Sequence, residues 1–98
     1  MSVGEEVAAA TRALLRLEGE GEAALTARLA ETAVAAAERF CGAAFADWAQ
    51  VPPPVAHGMV VLAAHLFENR GQGDPPPAAV AALWRPYRRL RLRGEAKA

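Results

Sequence analysis

Alanine dominates this chain and restricts the folds that are open to it. Of the 98 residues, 25 are alanine, and there is no isoleucine. Alanine has the highest helix propensity, and the β-branched residues that favour strands are scarce. Only 26 residues are Val, Leu, Met, Phe, Trp or Tyr. The chain therefore has little apolar area to bury, and each Å² that is buried stabilises the fold by roughly 25 cal/mol. The composition predicts a small all-α domain with a thin core, which a partner subunit commonly supplements.

Glycine and proline divide the chain into four predicted helices, at residues 3–15, 22–41, 53–70 and 76–84. Ser2 suits the N-cap of the first helix. Gly42 follows the second, where a left-handed C-cap is expected, and prolines open the third and fourth. Three-to-four spacing predicts the buried faces. These are Val3, Val7, Ala10, Leu14 and Leu15 in the first helix, Leu25, Leu29, Ala33, Ala36, Ala37 and Phe40 in the second, and Val55, Met59, Leu62, Ala63, Leu66 and Phe67 in the third.

A basic segment ends the chain, although the formal net charge is zero. Residues 84–98 hold six basic side chains and one acidic one, whereas residues 1–47 hold eight acidic and four basic. Such polarity suits head-to-tail stacking of copies or an acidic partner, and a solvated tail is the alternative. We therefore divide the chain into a helical domain, residues 1–87, and a basic C-terminal arm, residues 88–98. Leucine and arginine alternate in the arm through Arg89, Leu90, Arg91, Leu92 and Arg93.

The alternation in the arm has two interpretations. It predicts either a strand with one apolar edge or a segment that becomes ordered only on a partner. An all-helical chain has no sheet for a lone strand to join, so a strand here would pair with another molecule. We expect the arm to be disordered in the free monomer and to dock on a neighbouring molecule.

No residue pattern indicates catalysis or a bound metal. His57 and His65 lie about 12 Å apart along one helix, too far to share a metal ion. Cys41 follows Phe40 at the end of an apolar helix, so we expect a buried structural thiol rather than a nucleophile. Phosphate-binding glycine loops and nucleophile-elbow motifs are also missing from the sequence. We predict that the protein is not an enzyme and uses no cofactor or metal.

The cellular setting is predicted from the cysteine count and the apolar runs. One cysteine rules out an internal disulfide and suggests a reducing compartment. No apolar run approaches the roughly 18 residues that span a bilayer, and no charged-then-apolar leader starts the chain. We therefore expect a soluble protein that is made in the cytoplasm and has no membrane partner.

Two motifs at predicted helix ends are candidate interaction sites. Glu68-Asn69-Arg70 ends the third helix, where Asn69 can satisfy free carbonyls and Arg70 is favourable against the helix dipole. Helix capping thus explains the residue types by itself, and pairing between subunits is the alternative. Trp84 and Tyr87 flank Pro86 after the fourth helix. Aromatic residues in that position either close the core or serve at an interface, where Trp, Tyr and Arg are enriched.

Five short motifs follow one another along the chain: Leu14-Leu15-Arg16-Leu17 before an acidic glycine loop, Phe40-Cys41-Gly42 closing the second helix, the proline-led entry at Pro52–Val55, Phe67-Glu68-Asn69-Arg70 and Arg85-Pro86-Tyr87-Arg88. In their order and spacing these motifs resemble the small head-tail connector (adaptor) proteins of tailed phages and phage-derived gene transfer agents. Relatives carry a longer, strand-forming insert between the second and third helices, whereas only residues 43–51 stand there in this chain. Residues 89–98 run past the matched part.

The resemblance implies a structural role in the neck of a phage or gene transfer agent particle. Subunits of that family form a homo-oligomeric ring, commonly of about a dozen copies, beneath the portal protein. The ring meets a tail-side connector or stopper protein and extends the channel through which DNA passes, without sequence-specific binding. By this resemblance the portal or subunit interface would include Glu68, Asn69, Arg70, Trp84, Arg85, Tyr87, Arg88, Arg89, Leu90, Arg91, Leu92 and Arg93.

Two other classes of function are compatible with the sequence. Five arginines lie between residues 85 and 93, and they would bind nucleic acid by releasing counterions from phosphates. The chain would then be a small nucleic-acid-binding or regulatory protein. A helical accessory subunit of an enzyme is the third class. The sequence leaves open the kind of particle, the copy number and the tail-side partner.

Overall fold

The computed structural model describes residues 2–70 and 76–88 of the chain. It contains four α-helices: α1 (Val3–Leu15), α2 (Glu20–Cys41), α3 (Pro53–Glu68) and α4 (Ala78–Trp84). Helices α1, α2 and α3 pack on one another, and α4 packs mainly on α3. No strand occurs in these ranges, so the prediction of a small all-α domain with four helices is confirmed. Residues 89–93, which carry the predicted strand or docking segment, lie outside the described ranges.

Local hydrogen bonds determine where α1 begins and ends. The Ser2 hydroxyl accepts a hydrogen bond from the Glu5 backbone N–H at 3.1 Å, and the Glu5 carboxylate accepts one from the Ser2 N–H at 2.7 Å. This capping box satisfies two backbone donors that the first turn leaves free. The hydrogen bond from the Ser2 backbone lowers the pKa of the Glu5 carboxyl. Arg16 ends the helix in the left-handed region, with φ of 57°.

The remaining helices begin and end within two residues of the predicted positions. α2 begins at Glu20, two residues early, because Gly19 takes the N-cap position. Gly42 ends it with φ of 70°, as the glycine signal predicts. α3 ends at Glu68 rather than at residue 70. α4 begins at Ala78 rather than at residue 76, since Pro77 is extended, with ψ of 138°, and serves as the N-cap.

The buried face of α2 is rotated from the predicted one. Four residues predicted to be buried, Leu25, Leu29, Ala36 and Phe40, are only half-buried. α2 packs against both α1 and α3, and the distance between packed helix axes depends on the side chains at the contact. Small side chains therefore take the centre of the contact, and the larger leucines lie at its edges. The residues that are buried are Thr26, Ala30, Ala33, Val34, Ala37 and Cys41.

The predicted face of α1 is also partly wrong. Val3 and Val7 are buried as predicted, but Thr11 is fully buried and Leu14 is 58% exposed. The Thr11 hydroxyl donates a hydrogen bond to the Val7 carbonyl oxygen at 2.7 Å, so its polar group is satisfied inside the core. Thr26 uses the same bond pattern in α2. A pattern that counts only apolar residues therefore predicts that Leu14 is buried and overlooks Thr11.

In α3 the predicted face is confirmed for its first three turns. Val55, Met59, Leu62 and Ala63 are buried. Leu66 and Phe67, near the end of the helix, are half-buried. The exposed ends of these aliphatic and aromatic side chains indicate that the domain does not bury all of its apolar surface.

The connector between α2 and α3 contains one 3-10 turn, Trp48–Gln50, and no strand. The carboxylate of Asp47 accepts a hydrogen bond from the Ala49 N–H at 3.1 Å and caps this turn. The carboxylate of Glu38, in α2, accepts one from the Phe45 N–H at 2.8 Å and holds the connector against the helix. Among the helices of the described residues, none combines the length and apolar character needed to cross a bilayer.

Candidate interaction surfaces

The Glu68-Asn69-Arg70 motif forms the C-terminal end of α3. The Asn69 backbone N–H and side-chain amide both donate to the His65 carbonyl oxygen, at 2.9 and 3.0 Å. The Arg70 guanidinium donates to the Phe67 carbonyl oxygen at 2.6 Å and lies 4.6 Å from the centre of the Phe67 ring. Helix capping therefore accounts for Asn69 and Arg70. Glu68 and Arg70 are exposed, so a partner has access to both charges.

The two histidines of α3 differ in their surroundings. His57 is exposed, whereas His65 is half-buried. The Nδ1 atom of His65 lies 3.1 Å from the side-chain amide nitrogen of Asn69. Its Nε2 atom is buried and has no hydrogen-bond partner in the part of the chain that the structure describes. His57 is therefore open to solvent, whereas His65 is partly enclosed at the end of α3.

Trp84 belongs to the core of the domain. Its side chain is 3% exposed, and the indole N–H donates to the Val55 carbonyl oxygen at 3.1 Å. The ring meets the Phe40 ring at a centroid distance of 5.9 Å and an angle of 59°. Of the two alternatives for the aromatics near the chain end, core closure describes Trp84. These contacts fix the position of the indole inside the domain.

Gly58 makes room for Trp84, and sequence reasoning missed it. A Cβ atom on Gly58 would lie 2.2 Å from the indole nitrogen, far inside van der Waals contact. Glycine inside a helix costs about 1 kcal/mol relative to alanine. A single glycine in the middle of an alanine-rich apolar helix was the available signal, because such a residue often marks a close approach of another group.

The basic end of the domain is held against the last turn of α2. Arg85 and Arg88 are exposed, and Tyr87 is half-buried against the core. The Arg88 guanidinium carbon lies 5.4 Å from the centre of the Phe40 ring, within range of a cation–π contact. The chain therefore leaves the described domain beside Phe40. No hydrogen bond or ring contact found within residues 2–70 and 76–88 joins this group to the Glu68-Asn69-Arg70 motif.

Opposite charges lie at the two ends of α2. Glu20 and Glu22 are exposed in its first turn. Arg88 lies over Phe40, in its last turn. Eighteen residues separate Glu22 from Phe40, which is about 27 Å along a helix axis. Two exposed carboxylates and the exposed Arg88 therefore lie at opposite ends of this helix.

An apolar cleft of about 360 Å³ opens between α2, α3 and α4. Phe40 and Leu62 form one side, and Pro77, Val80 and Trp84 form the other, with alanines between them. The sequence pattern does not predict this cleft, because its walls come from three helices whose relative placement the pattern leaves open. The cleft borders the point where Arg88 contacts Phe40.

Cys41 is fully buried, as predicted for a structural thiol, and burial raises its pKa. Within the described ranges no three His, Cys, Asp or Glu side chains are close enough together to hold a metal ion. What the domain presents is charge at its two ends and an apolar cleft beside the basic end.

Comparisons of this chain with protein-family models, with curated proteins and with solved structures found no match. Function is therefore inferred from the motifs of the chain and from the surfaces described above.

Proposed function

We propose that the chain is a structural subunit of a head-tail connector, which forms a ring below the portal and extends the DNA channel toward the tail. The observation that carries this proposal is the charge polarity of α2. A cyclic ring needs two different, complementary faces on each subunit. The exposed carboxylates of Glu20 and Glu22 lie at one end of the domain, and the exposed Arg85 and Arg88 at the other. One copy can therefore present acidic groups to the basic end of the next.

The apolar surface of the domain supports the same proposal. Leu14 is 58% exposed, and Leu25 and Leu29 are half-buried at the edge of α2. Fully burying an aliphatic side chain contributes about 1.5–3 kcal/mol. Because alanine forms much of the helix contacts in this domain, burying a few leucines would add a larger fraction of its total stability than it would in a domain with a thick core. Contacts between copies would bury these leucines.

The candidate interface residues receive different roles in this proposal. Glu68, Arg70, Arg85 and Arg88 are exposed charges available to a neighbouring subunit or the portal. Asn69 caps the end of α3, which carries Glu68 and Arg70. Trp84 anchors the end of α4 in the core, next to Arg85 and Arg88. Arg89, Leu90, Arg91, Leu92 and Arg93 form the docking arm toward the portal or a neighbour. The subunit would be made in the cytoplasm and assembled into the neck of the particle, where it catalyses no reaction.

Negative-stain microscopy of the full-length chain mixed with a candidate portal tests the proposal. We expect rings stacked on the portal. Charge reversal then tests the subunit contact: Glu20→Lys with Glu22→Lys, and Arg85→Glu with Arg88→Glu, should each prevent ring formation. A chain that carries all four changes should regain it, since the complementary charges are restored. Assembly that ignores both reversals, or four changes that fail to rescue it, would count against this contact.

Nucleic-acid binding is the second candidate, and the exposure of Arg85 and Arg88 at the start of the arm favours it. If all five arginines between residues 85 and 93 neutralise phosphates, the logarithm of the affinity for duplex DNA should fall with a slope of about −4.5 against the logarithm of salt concentration. Such a slope, in a chain that forms no ring with a portal, would support this function over the connector. A connector needs only weak contact with DNA that passes through the ring.

A further inference from the structure

The cleft between α2, α3 and α4 has the size and chemistry of a receptor for aliphatic side chains. Its volume is about 360 Å³, and its walls are Phe40, Leu62, Pro77, Val80, Trp84 and alanines. A dry apolar cavity of about 150 Å³ is large enough to bind benzene, so this cleft has room for more than one aliphatic group. None of the side chains that line it is charged. The matching occupant is therefore an apolar edge.

The C-terminal arm starts at the rim of this cleft. Arg88 is the last residue before the arm's leucine–arginine alternation, and its guanidinium lies 5.4 Å from the centre of the Phe40 ring, which is a wall of the cleft. At up to about 3.6 Å per residue, Leu90 is within about 7 Å of Arg88 along the backbone, and Leu92 within about 14 Å. Ten residues of the chain follow Arg88, so the arm is long enough to reach the cleft from its own domain.

Other parts of the chain outside the described ranges are poorer candidates. Residues 71–75, which precede one wall of the cleft, contain Gly, Gln, Gly, Asp and Pro and therefore no aliphatic side chain. Met1 precedes α1, which packs on α2 and α3, whereas the cleft is walled in part by α4. Leu90 and Leu92 are two residues apart, so they share one edge of an extended segment. The arginines beside them then point to the solvent.

We infer that Leu90 and Leu92 occupy this cleft in the same copy of the chain, so that the free protein covers its own apolar surface. The short connection to Arg88 makes the binding intramolecular, with an effective concentration in the millimolar range. Any partner that binds the arm or the cleft must displace this contact first. The inference replaces the expectation of a disordered free arm. It concerns the isolated chain and holds or fails independently of ring assembly.

Nuclear Overhauser contacts in the full-length protein test the inference directly. In a uniformly labelled sample we expect contacts from the methyl groups of Leu90 and Leu92 to the rings of Phe40 and Trp84. A filtered experiment on a mixture of labelled and unlabelled chains detects only contacts between copies, and we expect none of these there. Contacts seen only in the mixture would show that a second copy fills the cleft. No contacts in either sample would show an ordinary solvated tail. Both results overturn the inference.

A pair of arm variants provides the matched control. Leu90→Ser with Leu92→Ser should empty the cleft and raise the binding of an apolar dye such as ANS several-fold, with the far-ultraviolet circular dichroism unchanged. Arg89→Ser with Arg91→Ser removes a similar number of side chains from the other edge and should leave dye binding at the level of the unmodified chain. Equal dye binding by both variants would overturn the assignment of the leucine edge to the cleft.

Discussion

Replacing Gly58 with alanine removes the space that Trp84 uses. The added Cβ atom would lie 2.2 Å from the indole nitrogen and 2.9 Å from two ring carbons. The ring cannot turn aside freely, because it also contacts the Phe40 ring and its N–H is bonded to the Val55 carbonyl oxygen. Either α4 moves away from α3 or the hydrogen bond breaks. Both outcomes reduce the free energy of unfolding.

The magnitude follows from three effects of the Gly58→Ala change. Overpacking of a core costs about 1–3 kcal/mol, and a buried donor without a partner costs about 1–3 kcal/mol. Alanine offsets about 1 kcal/mol through its higher helix propensity. The net expectation is a loss of about 1–5 kcal/mol, with a midpoint of about 3 kcal/mol. In a domain of this size 1 kcal/mol shifts Tm by about 4–8 °C, so Tm should fall by about 10 °C or more.

Thermal melts followed by circular dichroism measure this change, and two controls isolate its cause. Gly21 is also in a helix, but a Cβ atom there meets nothing within 4 Å, so Gly21→Ala should raise Tm slightly. In a Trp84→Leu background the clash is gone, so Gly58→Ala should become neutral or stabilising. A Gly58→Ala chain as stable as the unmodified one, or one equally destabilised in both backgrounds, would refute the close approach as the cause.

Three further predictions concern the helix cap and the buried faces of α2 and α3. Ser2→Ala should cost about 1 kcal/mol in urea unfolding. Because the Ser2 backbone N–H lowers the folded pKa of the Glu5 carboxyl, the stability that this carboxylate contributes is present at about pH 7 and lost toward about pH 3. Glu5→Gln should therefore differ from the unmodified chain at about pH 7, and the difference should shrink at about pH 3. A difference that does not change with pH would contradict the capping box. Ala33→Leu should lower the unfolding free energy by about 1–3 kcal/mol through overpacking, whereas Ala35→Leu, at an exposed site of the same helix, should stay within about 0.5 kcal/mol of the unmodified chain. Leu62→Asp should abolish the cooperative melt, since it buries an unpaired charge, while Leu29→Asp, at a half-buried site, should still melt cooperatively. The reverse ranking in either pair would show that the buried faces are assigned wrongly.

Much of the fold was predictable because local interactions determine it. The alanine content selects helix over strand before any packing is considered. Ser2 begins α1 through hydrogen bonds within its own first turn. Gly42 ends α2 because glycine adopts a left-handed backbone without steric cost. Signals of this kind need only neighbouring residues, so the sequence specifies them.

The candidate site was predictable in its positions but not in its exposure. The pattern placed Glu68-Asn69-Arg70 and Arg85–Arg88 at helix ends, where the structure has them. It did not show that the ring of Trp84 points inward. That orientation depends on Gly58, 26 residues earlier in the chain, which leaves the space for the indole. The apolar cleft likewise arises only when three helices come together.

The sequence by itself determined that this protein is a set of helices, where they begin and end, and which end of the chain is basic. Only the tertiary structure decided which face of α2 is buried, and that Thr11 rather than Leu14 is buried in α1. A helix with alanine on most of its faces has no single apolar stripe, so its pattern is compatible with several rotations of the helix about its own axis. Contact with α1 and α3 selects the rotation that buries Ala30, Ala33 and Ala37 and leaves Leu25 and Leu29 at the edge, because small side chains allow the helices to approach closely.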